Sequence, residues 1–349
     1  RYNALRAFID MLGAEDYLSL ITFDTEVQKV WPLTRLGDSA SRTPLKDQLN
    51  TALEAGGYSD YLSAFRMARG ELEARPEGTK PIIVVLTDGE PLPGGLDFDN
   101  AEVKNNYIAQ LMTEVDALAQ SGTPIYSVGF STDVDRAVLD DMAVRTKGEV
   151  NLLDSPVDLE LALFQDIRTI KNRTLVLEEK RTLRATDEPQ TVRLDMDPFT
   201  RQIKLLLTHP GVQNFTLETQ APDGVDGASN SYLIRQDEYS LFVIEPKAGS
   251  AAGTWRVRLS GEGNISLFAD KDLHTKPSIL SPASHTLQPS GESMEVVLEL
   301  RNEEGKLALD PANYLMEAIL ELPDGITQPI TLQEDAGSYR AVVETLTTL

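Results

Sequence analysis

The period of the apolar positions changes near residue 173. Before it, helical and strand patterns alternate. Leu5, Phe8, Ile9 and Leu12 recur at helical spacing, and Gly13 ends the run. Tyr17 to Phe23 reads as a short strand, with Val27 to Trp31 as its hairpin partner. Leu45 to Leu53 reads as a helix, followed by Gly56, Gly57, Tyr58, Ser59 and Asp60. Ser59 or Asp60 can cap the next amphipathic helix, which carries Leu62, Phe65, Ala68 and Leu72. Ile82 to Leu86 is an unbroken apolar run, the pattern of a strand covered on both faces in a parallel sheet. It stops at Thr87-Asp88-Gly89, where Gly89 and Pro91 turn the chain. Helix Val103 to Ala119, strand Ile125 to Phe130, helix Arg136 to Val144 and helix Val157 to Ile170 follow. This alternation predicts a doubly wound, mostly parallel sheet. Sheets of this kind hold ligands at strand carboxyl ends, so Asp88 lies at a candidate site mouth.

Beyond residue 173 the period is two, with Gly, Pro, Asp and Asn between short runs. Seven candidate strands fall between Thr191 and Ala269, with Thr254 to Leu259 and Ile265 to Ala269 as separate members. That density predicts a β-sandwich. Pro277 to Pro289 reads as a proline-punctuated joint, and strands from Ser293 to Thr345 suggest a second, smaller β-sandwich. The expected division is 1–173 α/β, 174–276 β-sandwich and 277–349 an immunoglobulin-like β domain cut short at its end. The β modules are expected to fold independently of the first unit.

The chain has 349 residues, which suits two or three domains. A net charge of -23 argues against nucleic acid and against anionic membrane surfaces as partners. The absence of cysteine excludes disulfides, thiolate zinc sites and cysteine nucleophiles, and leaves the compartment open. No apolar run approaches the roughly 18 residues of a membrane span. The chain opens inside a helical pattern, which reads as a fragment whose targeting information and any membrane anchor lie elsewhere. There is no glycine-rich phosphate loop, nucleophile elbow or acid/base pair at a telling spacing, so no enzyme activity is expected.

Five segments, in order, carry a resemblance: SLITFDTEV, AGGYSDYLSAFRMA, IIVVLTDGEP, IYSVGFSTDVDRAVLDDMA and LLDSPVDLELALFQDI. Together they make residues 1–173 resemble a von Willebrand factor type A domain lacking its first strand. Such domains hold a divalent metal, usually Mg²⁺, at the sheet's carboxyl edge. The resemblance implies that Ser59 stands at the position of a Thr ligand and Asp88 at that of the Asp ligand. Tyr58 occupies a place that is commonly a small residue. The family's Asp-x-Ser-x-Ser loop, which follows its first strand, does not occur in this chain. That strand is the central one of the fold, so its two neighbours should lack a shared ladder partner. The resemblance further implies a partner protein whose Asp or Glu completes the Mg²⁺ octahedron, and a coupling of that event to the last helix. The β region is similar, less specifically, to β-sandwich and immunoglobulin-like modules of exported proteins. The expected role is therefore metal-dependent adhesion or sensing by an extracytoplasmic, surface-anchored protein. The alternative is substrate recognition within an enzyme or an ATP-driven remodelling complex.

Other chemistry-bearing residues read as structural. Asp97, Asp99, Asp133 and Asp135 lack a closing Glu at calcium-loop spacing and read as solvated turns. His209, His274 and His285 are scattered without a nucleophile beside them. Asn172, Asn214 and Asn264 open glycosylation sequons, a match short enough to arise by chance. Trp255 reads as a core residue.

Overall fold

Period-two and period-3.6 patterns place the elements close to where the sequence predicts them. The computed structural model describes residues 2–38, 40–52, 57–131, 133–153, 159–196, 199–222, 231–245, 253–273, 276–282, 293–302, 305–307, 316–321, 327–335 and 337–343. The first part runs α1 (Tyr2–Met11), β1 (Tyr17–Phe23), β2 (Val27–Arg35), α2 (Thr43–Ala52), α3 (Tyr61–Glu73), β3 (Ile83–Thr87), α4 (Ala101–Gln120), β4 (Ile125–Gly129), α5 (Arg136–Thr146), β5 (Val150–Leu152) and α6 (Leu159–Ile170). Side-chain caps start three of the helices. Asp60 accepts from the Ser63 amide, Asn100 from that of Glu102, and Asp135 from that of Val138.

β3, β4 and β5 form a parallel sheet, and β1 and β2 an antiparallel hairpin. The sheet is thus divided into two pieces, in line with the expectation that the neighbours of the family's central strand lack a shared ladder partner. No described segment lies between β1 and β3 to pair with both. Their facing edges line a cavity of about 1040 Å³, together with apolar residues of α1, α3 and α6 such as Leu5, Phe65 and Leu163.

The next strands are β6 (Thr174–Leu183), β7 (Gln190–Met196), β8 (Thr200–Thr208), β9 (Gln213–Gln220), β10 (Ser231–Arg235), β11 (Tyr239–Ile244) and β12 (Gly253–Leu273). They pair in the order β10-β11-β8-β12-β6, with β7 and β9 also on β12. The two strands expected at Thr254 to Leu259 and Ile265 to Ala269 are one. Gly261 and Gly263 do not turn the chain; they let Val212 approach it, since a Cβ on Gly261 would come within 3.0 Å of Val212 Cγ1. The last strands are β13 (Lys276–Ser281), β14 (Met294–Asn302), β15 (Gly305–Leu307), β16 (Met316–Glu321), β17 (Thr327–Asp335) and β18 (Ser338–Val343). They form a separate six-stranded sheet over Val296, Leu298, Leu300 and Tyr339. β13 occupies part of the stretch that reads as a proline joint, because Pro277 sits at its start, where a strand tolerates it. Among the described residues no helix is long and apolar enough to cross a membrane.

Successive side chains of a strand face opposite ways. Leu205, Leu207, Phe242, Ile244 and Leu267 therefore join one core with Trp255, on one side of the seven-stranded sheet. Leu206, Leu241, Val243 and Phe268 point the other way, into a second core with Phe8 and Met11 of α1 and Leu163 and Phe164 of α6. That second core also takes Val84 and Leu86 of β3 and Val128 of β4. So α1 and α6 are covered by the parallel sheet on one side and by the β8-β11-β12 surface on the other. Buried polar pairs fix the seam. Asp10 accepts from Lys46 Nζ at 2.6 Å and from the Tyr239 hydroxyl at 2.7 Å. Arg173 donates to Asp270 at 2.6 Å, and Lys204 donates to the Met11 carbonyl at the end of α1. Burial pushes the Lys204 pKa down to about 8. Residues 1–173 and the following β unit share one core where the sequence suggests independent modules, and the shared core predicts that the two unfold together.

The first prediction concerns this seam and the second a buried acid beside it. Phe268 is 3 % exposed and packs on Phe164 with ring centroids 5.7 Å apart. Phe268→Ala should cost about 3–5 kcal/mol and lower the unfolding midpoint of α/β and β signals together, read by helical circular dichroism and, with Trp31 on β2 replaced by Phe, by Trp255 fluorescence. Loss confined to the fluorescence transition would mean that the units unfold separately. Asp166 on α6 is also buried; Asn151 donates to its Oδ1 at 2.7 Å, and Oδ2 has no partner among the described residues. Burial, then the charge of Glu149, pushes its pKa up to about 7. The folded state thus favours the protonated acid. Its contribution is complete in acid and declines as pH rises through about 7, with a slope of up to about 1.4 kcal/mol per unit. Asp166→Asn should flatten the fall in melting temperature between about pH 5 and about pH 7. Parallel curves for the two proteins would exclude Asp166 as the source.

Candidate functional site

β3 emerges from between two helical layers and ends at Thr87, so Asp88 and Gly89 lie at its carboxyl end. Ser59 lies on the loop that enters α3. Two backbone bonds tie the loops together: Ser59 N–H donates to Leu92 O at 2.7 Å, and Leu92 N–H to Ser59 O at 2.9 Å. The tie places the Ser59 hydroxyl over the turn, 3.8 Å from where a Cβ on Gly89 would stand. The entering loop also leans on the β1–β2 turn. Gly57 has φ +96°, and a Cβ there would come 2.1 Å from Thr25 Oγ1, which itself accepts from the Tyr58 amide at 3.3 Å. Tyr58 is 44 % exposed and lies over Gly94.

The result is an open pocket of about 570 Å³ lined by Tyr58, Ser59, Asp88, Glu90, Asp133 and Asp135, among others. Lys104 pairs with Glu90 at 2.8 Å at its edge, an exposed contact of small energetic value. Sequence reasoning names Ser59 and Asp88, and the fold brings them together. It reads Asp133 and Asp135 as solvated turns, but the β4–α5 connection carries both into the pocket wall. Asp97 and Asp99 sit on the loop before α4 and do not line the pocket. Tyr61 is the residue that sequence reading missed. It is 1 % exposed, and its hydroxyl meets Thr87 Oγ1 and donates to Gly89 O at 3.0 Å. Burial, with the nearby charges of Asp88 and Asp135, pushes its pKa up, so it stays a protonated donor. The signal was available: a phenol at the first position of α3 must find a partner when buried.

Ser59 and Asp88 are hard oxygen donors, the kind Mg²⁺ takes, and Mg²⁺ keeps several waters while using one or two carboxylates. Among the described residues no group of three or more His, Cys, Asp and Glu is gathered as a metal cluster. The donors therefore fit Mg²⁺ in kind and fill only part of its octahedron. Elsewhere, His209 stacks on Phe215 at 4.0 Å and bonds Ser240 at 3.1 Å, as a structural residue. His274 and His285 lie outside the described residues. Trp255 is 1 % exposed in the core. Asn264 accepts from Thr182 at 2.8 Å along the ladder, and Asn172 and Asn214 adopt φ 49° and φ 51°.

Residues 2–162 match the family model of the von Willebrand factor type A domain, and this part of the chain is such a domain. The chain is 25 % identical over 179 residues to human (Homo sapiens) inter-alpha-trypsin inhibitor heavy chain H4, a match covering 50 % of this chain and 18 % of that protein. The Bos taurus heavy chain H4 matches at 25 % over 176 residues, again 18 % of its length. Among solved structures, the von Willebrand factor type A protein from Catenulispora acidiphila aligns with a TM-score of 0.41 and 15 % identity, covering 88 % of this chain and 58 % of that one. The pilus adhesin SpaC from Lactobacillus rhamnosus GG aligns at 0.39 and 12 %, over 98 % of this chain and 47 % of its own. A mussel byssus protein, proximal thread matrix protein 1 with a zinc-occupied MIDAS motif, aligns at 0.38 and 14 %, over 52 % and 44 %.

The loop tie predicts a difference between two glycines of positive φ. Gly57→Ala should destabilise the protein by about 1–3 kcal/mol and disturb the Tyr58–Thr25 bond. Gly78, at φ +83° with nothing within 4 Å of a Cβ, should show only the backbone strain. Urea unfolding of the two variants compares them; equal losses would mean that the approach to Thr25 is immaterial.

Proposed function

We propose that this protein is a metal-dependent protein-binding module, in which Ser59 and Asp88 hold Mg²⁺ at the carboxyl end of β3. The observation that supports this reading is the backbone tie between Ser59 and Leu92, which joins the Ser59 loop to the loop after β3, so that Ser59 and Asp88 line one open pocket. When bound, Mg²⁺ supplies an electrophilic position for an acidic side chain offered by a partner protein. Ser59 contributes an oxygen without charge, so less of the cation's charge is neutralised by the protein. Asp88 anchors, and the pocket stays open on the side a partner would approach. The role is one of adhesion or sensing and not catalysis, in an extracytoplasmic, surface-anchored protein. Residues 174–276 and 277–349 act as two β-sandwich spacers, the second immunoglobulin-like. The succession of a type A domain and all-β units supports this placement. Any movement of α6 on partner binding would repack Phe164 against Phe268.

With two donors, the chain should bind Mg²⁺ only in the millimolar range or more weakly, on the order of the looser oxygen sites of other proteins. Joining an apolar strand and an Asp-x-Ser-x-Ser loop ahead of Arg1 should fill the space between β1 and β3 and tighten the site. Calorimetric titration of both forms, each with and without Asp88→Ala, decides this; a tightened site that ignores Asp88→Ala would falsify the ligand assignment. With a partner in hand, EDTA and Asp88→Ala should each weaken its binding about tenfold or more, at least about 1.4 kcal/mol. Equal affinity in all conditions would leave a metal-free binding surface instead.

A further inference from the structure

Ser59 and Asp88 sit on two loops, and Asp88 is followed by Gly89. Two sets of bonds join the turn to the Ser59 side. One is the Ser59–Leu92 backbone pair, downstream of Asp88. The other is a triangle of the Tyr61 hydroxyl, Thr87 Oγ1 and Gly89 O, in which two protons serve three contacts: Tyr61 donates to Gly89 O at 3.0 Å and accepts from Thr87 Oγ1, which itself lies 3.1 Å from Gly89 O. Tyr61 follows Ser59 by two residues and opens α3, whose cap Asp60 is itself held by the Tyr107 hydroxyl at 2.9 Å. Its ring is fixed edge-on to Phe23 at 5.2 Å and to Phe65 at 6.5 Å. The phenol thus reaches from the Ser59 side to both residues that flank Asp88.

We propose that Tyr61 is the positioning residue of this site: its hydroxyl fixes the Thr87–Gly89 turn so that Asp88 faces Ser59. The inference rests on the reading of Ser59 and Asp88 as metal ligands, but the positioning itself is independent of metal. The aromatic ring serves the core, and the hydroxyl serves the turn. Tyr61→Phe separates the two roles, because the ring stays packed while the turn loses a donor. Thr87 Oγ1, released from Tyr61 and 3.1 Å from Gly89 O, can then donate there, so the fold survives and only the turn loosens.

The test uses the full 349-residue chain. Amide hydrogen exchange is followed at Gly89, Glu90 and Leu92, and Mn²⁺ is titrated as the probe ion by its paramagnetic broadening of the same amides. Tyr61→Phe should speed exchange at these amides about fivefold to tenfold, leave β4 unchanged, and weaken Mn²⁺ by a similar factor. Leu118→Ala, in the same core but at the far end of α4, disturbs packing alone and should move neither reading at the turn. Unchanged exchange in Tyr61→Phe overturns the proposal. So does an equal response to Leu118→Ala, which would make the turn's exchange a report of core packing only. If Mn²⁺ broadens none of these amides in the unmodified chain while exchange still answers to Tyr61→Phe, the metal reading fails and the positioning stands.

Discussion

The rest of the structure depends on the double burial of α1 and α6. Each helix presents apolar residues to two sheets, so neither sheet has a solvated face where they lie. Burying a large apolar side chain is worth about 1.5–3 kcal/mol, and residues such as Phe8, Phe164 and Phe268 are committed to this layer. Asp10, Lys204 and Arg173 add buried hydrogen bonds involving charged groups, the last of them an ion pair with Asp270, that would be costly to leave half-made. Their value lies in register: they accept one seating of the helices on the β8-β11-β12 surface. β3 has one face on this layer, through Val84 and Leu86, and the other on α3 and α4, through Val85. The place at which Asp88 emerges is fixed by those two contacts.

Against that rigid frame, the cavity between β1 and β3 is the open feature of the α/β part. Among the described residues, both strands there present ladder groups to a cavity instead of to another strand. An unpaired strand edge is a ready template for a further strand. The hairpin β1–β2 is held chiefly through α3 and by Glu71, which accepts from the Leu33 amide and from Lys29 at 2.8 Å each. The Thr25 turn that supports Gly57 and Tyr58 belongs to this hairpin, so the stability of the site loop is linked to how firmly the hairpin is seated.

How much was legible in the sequence follows from the range of each signal. The strand was legible at Ile82 to Leu86, within a residue of β3, because an unbroken apolar run ended by Asp-Gly has few other solutions, and the start of α3 because capping is local, with Ser59 and Asp60 both candidates and Asp60 the cap. The nearness of Ser59 to Asp88 came through family resemblance, since no local pattern states a contact between loops. Leu205 to Leu207 and Leu241 to Ile244 announce double burial, but a run of that kind does not say what covers it. Helices of the preceding unit cover it here, which is why independent modules were expected and a shared core was found. The arrival of Asp133 and Asp135 at the pocket, and the reach of Tyr61 to Gly89, depend on how β3 and β4 sit side by side. Gly261 and Gly263 misled in the opposite sense, because glycine serves close approach as readily as a turn.

The central claim is that Ser59 and Asp88 are two ligands of one metal, held by loops that the fold has already joined. The most direct measurement is anomalous diffraction from crystals of this chain soaked in Mn²⁺, with data collected on both sides of the manganese edge. The account predicts a peak bridging the Ser59 hydroxyl and the Asp88 carboxylate, with water completing the coordination, and no such peak in crystals of Asp88→Ala. A strong peak on Asp133 and Asp135 that leaves Ser59 and Asp88 uncoordinated would contradict it.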